Sequence, residues 1–500
     1  MAESATENQV ALRVLIDEKK NKVVFVQAGK DFVDFLLSFL TLPLGTIVRL
    51  VSKESNMKKV SIGSLSSLYE SVANLDESHF WTDTCKEMLL QPRNAMESYC
   101  QNIKLNIDDT EKTKYFICED LDCSRKRSGG LLSTFTNQRC KCGKPMNREI
   151  FNRISPANKG FVPETATFII SDDLKVKPDD FQNSVCLPIN LGSEDFDAIK
   201  LVIVNVTQND TLDLLTGSLF STTPLTDLFL RKKQLIENAQ TRSVSDFDIG
   251  EVEGNDGGQR MKIKALIRKS NNTILFALAE EDFVDFILSF LTFPLGGVEH
   301  MLNGNSCLGS IDNLYNSIIH LDPNRYFRSF DLQDKLVKSQ LAHQFKLNNQ
   351  MLPFEEVPIP DYTCYSDTNI NNNNGKISCY LTSLQGYERF TSEVCAPLSY
   401  LEPQSSTGQK YSTCGGKGFA KKMSLYMVTD DLVITPSSSI SAISFLTQLR
   451  IPPSDLEERV INIGKKEGLS LLKASLFSSS ALTNGLRQFL KPIKEENSPN

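Results

Sequence analysis

The sequence holds few of the residues from which readable active sites are made. Histidine occurs four times, at His79, His300, His320 and His343, and never at metal-ligand spacing. There is no Walker P-loop, no G-x-G-x-x-G behind a strand-like run, no H-E-x-x-H and no G-x-S-x-G. Their absence removes the common nucleotide, zinc-protease and serine-hydrolase chemistries. Long apolar runs are also missing. The most apolar segment, 35–51, is broken by Ser38, Thr41, Pro43, Gly45, Thr46 and Arg49, short of the ~20 apolar residues that span a bilayer. The opening MAESATENQV lacks the basic-then-apolar order of a secretory signal. Nor is one charge sign in large excess: the formal net charge is -7, which argues against a whole-surface nucleic-acid binder. The expectation is an intracellular protein, cytoplasmic or nuclear, with no membrane span. In that reducing setting twelve cysteines are thiols or metal ligands, not a disulfide framework.

What is present is repetition. FVDFLLSFLTLPLG at 32–45 returns as FVDFILSFLTFPLG at 283–296, with Leu36 and Leu42 replaced by Ile287 and Phe293. LYESVANLD at 68 answers LYNSIIHLD at 314, TFIISDDLKVKP at 167 answers LYMVTDDLVITP at 425, and SLFSTTPLTD at 218 answers SLFSSSALTN at 475. The four offsets are 251, 246, 258 and 257, in the same order, which reads as a tandem duplication.

Within each copy a β-hairpin is expected first: 10–16 with VVFVQ, and 263–267 with 274–278. Helices follow. Asp31 and Asp282 are placed as N-caps, and Ser64 and Ser310 as caps of a second helix. Phe32, Phe35, Leu36, Phe39 and Leu40 fall on one helical stripe, repeated by Phe283, Phe286, Ile287, Phe290 and Leu291, and read as core. Later short strands and helices complete an α+β or mixed α/β class. The expected layout has a disordered 1–9 and a first copy over 10–235. That copy divides into a hairpin-helix unit at 10–110, a four-cysteine module at 115–150 and a second α/β unit at 160–235. An acidic linker at 236–260 precedes a second copy over 261–490. This one divides into a hairpin-helix unit at 261–350, a Cys/Asn-rich loop at 360–420 and a second α/β unit at 421–490. A tail occupies 491–500.

The chemistry concentrates in one place. Cys118 and Cys123 form a C-x4-C pair, and Cys140 and Cys142 a C-x-C-G pair sixteen residues on. Two thiol pairs around a Gly-containing spacer suit a tetrahedral structural zinc site, and four thiolates leave no coordination position open for catalysis. Packed reduced thiols are the alternative. From Lys114 to Lys159, ten Lys or Arg stand against four acidic residues, a local balance of +6. That excess offsets the charge of a zinc–thiolate centre. The second copy has Cys364, Cys379, Cys395 and Cys414 singly spaced, so no metal is expected there. Asp172-Asp173 and Asp430-Asp431 read as turns rather than catalytic carboxylates. Cys85 and Cys100 have no basic neighbours to mark a nucleophile.

LIDEKKNKVVFVQAGKDFVDFLLSFLTLPLGTIVRL, LYESVANLD, NQRCKCGKPMNREI and LLKASLFSSSALTNGL resemble the plant-restricted family catalogued as domain of unknown function 674. The resemblance implies a plant protein with this duplicated layout, and paired cysteines before CGK are similar to those of many members. It implies no activity and no catalytic residue.

The leading expectation is a non-enzymatic, duplicated scaffold or interaction protein with protein partners and one structural zinc on Cys118, Cys123, Cys140 and Cys142. The alternatives are a nucleic-acid-associated protein acting through Arg125, Lys126 and Arg127, and an enzyme with an unrecognised cleft between the copies.

Overall fold

Alternating apolar residues make the first hairpin. β1 (Gln9–Asp17) turns Val10, Leu12 and Val14 into the core and pairs antiparallel with β2 (Lys22–Ala28). Asn21, in the turn, sits at φ 46°, a left-handed conformation that asparagine tolerates. The structure, a computed structural model, describes residues 8–53, 60–120, 123, 130–136, 138–152, 160–180, 183, 196–231, 260–347, 349–355, 357, 362–367, 378–383, 395–401, 418–422 and 425–490. The basic run Arg125, Lys126 and Arg127, the linker at 236–259, Cys414 and the tail at 491–500 lie outside the described residues.

The described strands form three sheets with helices around them, an α+β arrangement. β3 (Tyr115–Ile117), β4 (Gly130–Ser133) and β5 (Arg148–Asn152) come from the cysteine module. β6 (Phe168–Ser171), β7 (Val176–Pro178) and β8 (Ile199–Thr207) were expected in a unit of their own. Instead they extend the hairpin into one five-stranded sheet of order β7-β6-β2-β1-β8. A hairpin alone is marginal in water, and added strands bury its apolar face. In the trailing half, β9 (Met261–Arg268) and β10 (Thr273–Ala279) are joined by β14 (Tyr426–Thr429), β15 (Ile434–Pro436) and β16 (Leu456–Ile463). Their order is β15-β14-β10-β9-β16. Both hairpins carry a bulge, with Val24 unpaired between Leu15 and Ile16 in one and Leu275 unpaired in the other.

The repeated apolar stretches meet at the centre. α1 (Lys30–Ser38) and the helix Glu281–Ser289 each tighten into a 3-10 turn before Pro43 or Pro294. The two prolines form an antiparallel bridge, with Leu44 N donating to Phe293 O (2.9 Å) and Leu295 N to Leu42 O (3.0 Å). Helices placed back to back bury more than one face. Phe32, Val33, Phe35, Leu36, Leu37, Phe39 and Leu40 are all inaccessible to solvent, not only the expected stripe. Asp31 and Asp282 are not the caps: the N-caps are Gly29 and Glu280, and both aspartates sit in the first helical turn.

The next helices cross over. α2 (Leu44–Lys53) leads to α3 (Leu65–Asn74), which packs on the trailing sheet, where Ser71 Oγ donates to Ile434 O (2.9 Å) and accepts from Ile434 N (2.8 Å). The helix Ile311–Ile319 packs on the leading sheet, where Ser317 Oγ accepts from Val176 N (3.0 Å). Ser64 and Ser310 do occupy N-cap positions. Their hydroxyls, however, donate across the molecule, to Ser478 O (2.6 Å) and Ser221 O (2.9 Å), and make no cap bond.

β11 (Tyr362–Asp367), β12 (Ser378–Ser383) and β13 (Cys395–Tyr400) come from the region expected to be a loop. They complete the third sheet, a closed barrel of order β11-β12-β5-β3-β4-β13. Two parallel seams join the halves: Tyr380 opposite Phe151 and Leu398 opposite Gly130 begin them. Ile117, Leu132, Ile150, Leu381 and Leu398 form its small core.

Candidate metal centre

Cys118 directly follows β3, and Cys140 and Cys142 lie in the turn before β5. That turn is held by its own backbone: Gly143 N donates to Cys140 O (2.8 Å), Cys140 N to Lys144 O (2.9 Å) and Met146 N to Gln138 O (3.0 Å). Gly143 has φ 83°, a region that penalises a Cβ, which accounts for the glycine of C-x-C-G. Cys123 N donates to Asp120 O (3.2 Å), which curls the first pair inward. Gln138 Nε2 donates to Thr84 Oγ1 (2.8 Å) and so ties the turn to the helical body.

The four sequence-predicted ligands come together. Cys118 Sγ is 3.5 Å from Cys142 Sγ, Cys123 Sγ is 3.5 Å from Cys140 Sγ, and all four sulfurs lie within 4.8 Å of one another. These separations are too long for a disulfide, in which sulfurs stand ~2 Å apart. A zinc tetrahedron with ~2.3 Å bonds sets its sulfurs roughly 3.8 Å apart, inside the observed range. Leu131, Met146 and Leu401 pack around the group, so the side away from solvent is apolar. Burial pushes the Cys118 thiol well up and Cys123 up to about 11. The Lys144 backbone N–H and the neighbouring thiols bring Cys142 down to about 7. A metal binding here would displace the thiol protons as it takes the sulfurs as thiolates. Lys144 Nζ, 3.1 Å from Asp120 Oδ2, adds a cation at the rim.

The remaining sequence candidates are occupied elsewhere. Asp172 accepts from Thr226 N (2.8 Å) and Thr226 Oγ1 (2.7 Å), and Asp430 from Thr483 N (2.7 Å) and Thr483 Oγ1 (2.9 Å). Burial raises both to about 6, yet each anchors a turn to a helix start, and each is followed two residues on by a leucine at positive φ. Cys85 and Cys100 are buried, pushed up to about 11 and about 12 by desolvation, the reverse of an activated nucleophile. His300 Nδ1 lies 3.1 Å from Tyr315 OH and His320 Nδ1 2.6 Å from Asn316 O. His79 lies against Tyr426, and His343 lines a cleft at the barrel mouth. Sequence reasoning raised a cleft between the copies only as an alternative and assigned it no residues, and it missed Asp34 and Asp285, buried carboxylates inside the repeated apolar stretch. A charge retained twice among phenylalanines was the available signal for the aspartates.

Among the described residues no helix is long and apolar enough to cross a membrane. No curated protein and no solved structure matches the chain. One family, described as "Protein of unknown function (DUF674)", matches residues 6–466, nearly the whole length. With C-x4-C and C-x-C-G gathered at one end of a barrel, this chain belongs to the DUF674 family.

Proposed function

We propose that Cys118, Cys123, Cys140 and Cys142 hold one structural zinc ion in a scaffold built from two homologous copies, with other proteins as partners. Four sulfurs within 4.8 Å, on turns that their own backbone bonds pre-shape, carry this reading. The ion would contribute stability rather than reactivity, because four thiolates complete its coordination. Its place makes sense mechanically. β3 is three residues long and β4 four, at the short end for strands, so pairing alone holds this part of the barrel wall by few hydrogen bonds. A metal bridging the end of β3 to the turn before β5 fixes both. The two copies share strand order and exchange helices, which supports a duplicated origin.

Elemental analysis of the purified chain tests the site. The expected result is about one zinc per wild-type chain and none after Cys140→Ser with Cys142→Ser. A chelator should also expose the barrel strands to protease while the two five-stranded sheets persist. Wild-type protein free of zinc after expression in zinc-supplemented medium would end the proposal.

A further inference from the structure

Between the barrel mouth and the helical body lies a cavity of ≈ 250 Å³. Both halves line it: Arg93, Glu97, Tyr115 and Thr134 from the leading one, His343, Tyr362 and Tyr400 from the trailing one. Its walls are aromatic. Tyr115 and Tyr362 have ring centroids 5.7 Å apart, and His343 stands edge-to-face on Tyr400 at 5.8 Å. Its polar groups are few and fixed, as in ligand sites generally. Tyr115 OH and Tyr362 OH are 3.4 Å apart, and Tyr400 OH is 2.8 Å from Thr134 Oγ1.

Arg93 and Glu97 supply the two opposite full charges of the lining. Glu97 is already satisfied: its oxygens accept from Thr113 N (2.9 Å), Thr113 Oγ1 (2.5 Å) and Gln101 Nε2 (2.6 Å). Arg93 keeps donors to spare: its one hydrogen bond among the described residues runs from NH1 to the Glu111 carbonyl (2.6 Å), and a guanidinium offers five N–H donors. The side chain is half-buried, so water meets the rest, and a carboxylate that takes a fork of two N–H groups can displace that water. The volume suits a single ring.

We propose that this cleft binds a monocyclic aromatic carboxylate, with the carboxylate on Arg93 and the ring against the tyrosine and histidine rings. This stands apart from the zinc reading, since no cysteine among the described residues lines the cleft. The two sites are nevertheless joined by β3. Tyr115 faces the cleft and Cys118 follows three residues later, a rise of roughly 10 Å along a strand. The site exists only when both halves close the barrel.

Calorimetric titration of the full chain with benzoate, 4-hydroxybenzoate and 4-hydroxycinnamate tests the proposal, with benzylamine as the opposite-charge control. At least one acid should saturate below about 1 mM. Arg93→Gln should weaken it by about tenfold or more, the loss of a charge-assisted pair. Ala95→Phe, which fills the cleft from another side, should abolish it. Unchanged far-ultraviolet circular dichroism and thermal midpoint in each variant show that folding is intact. The proposal is overturned if none of the acids saturates below about 5 mM, if benzylamine binds more tightly than the acids, or if both folded variants bind as wild type does.

Discussion

Asp34 and Asp285 occupy matching places in the leading and trailing halves, and the chain treats them differently. Asp34 accepts from Phe161 N (2.7 Å) and Val162 N (2.9 Å), and Asp285 from Phe419 N (2.8 Å) and Ala420 N (2.7 Å). Each pins a distant segment to the middle of a central helix. Gly160 and Gly418 precede those segments because a Cβ at either would lie within 2 Å of the carboxylate. Asp34 also has Lys30, one turn earlier and largely buried, as an ion-pair partner. Desolvation raises both carboxyls; Lys30 offsets part of the shift at Asp34, whereas the trailing half has Glu281 at the matching position and Asp285 is pushed up to about 7. Backbone-directed bonds that set geometry are thus kept in both halves, while neutralisation of the buried charge is a separate layer free to differ.

The largest expected break in that comparison is at Asp34. Asp34→Asn keeps an oxygen for Phe161 and Val162 but strands the Lys30 ammonium with 10% of its side chain exposed. Removing one member of a buried pair costs about 3–5 kcal/mol. Asp285→Asn strands no cation among the described residues and should cost less than about 1 kcal/mol at neutral pH. Urea unfolding of the two variants measures the difference, and equal losses would show that Lys30 compensates nothing.

A second test asks whether the helix exchange is symmetrical. Gly63 (φ 46°) and Gly309 (φ 52°) precede the exchanged helices, and a Cβ on them would approach Ser475 O to 2.4 Å and Ser218 O to 2.7 Å. Alanine at either position meets both an unfavourable φ and a backbone clash, worth about 2–4 kcal/mol. The two thermal midpoints should fall by similar amounts. A tolerated Gly309→Ala beside a damaging Gly63→Ala would show that only the leading helix is firmly seated.

Sequence reading reached the parts of this molecule that local spacing encodes. Both hairpins, the buried phenylalanine stretches and the cysteine quartet follow from period-2 alternation, i, i+3, i+4 spacing and C-x4-C with C-x-C. It failed where partners are far apart in the chain. Ser64 and Ser310 stand at cap positions, but a hydroxyl bonds to whatever carbonyl folding brings near, here one 414 residues away from Ser64. The barrel was hidden because β3 to β5 are three to five residues long, too short for periodicity to show. The asparagine tract at 371–374 also made 360–420 look like loop throughout. The lining of the cleft stayed unread for the same reason, since its arginine and two of its tyrosines come from opposite halves.

The smallest expected effect sharpens the comparison most, because it attempts to convert one half into the other. Asp285 has a folded pKa above its unfolded value of ~3.9, so its stabilising contribution is full below that value. It is lost as pH rises through about 7, where the folded state must hold a buried carboxylate with no cation beside it among the described residues. Between pH 5 and 8 this group should remove about 1–3 kcal/mol. Asp285→Asn should abolish that slope. Glu281→Lys should flatten it by supplying the cation that Asp34 has, at the expense only of a loose pair with Lys422 (3.8 Å). Asp172 and Asp430, both raised to about 6, act in the same direction in every variant and cancel in differences from wild type. Urea midpoints at half-unit pH steps give the three curves. If Glu281→Lys retains the wild-type slope while Asp285→Asn loses it, a lysine one turn earlier is insufficient, and the Lys30–Asp34 pairing depends on the surroundings of the leading half.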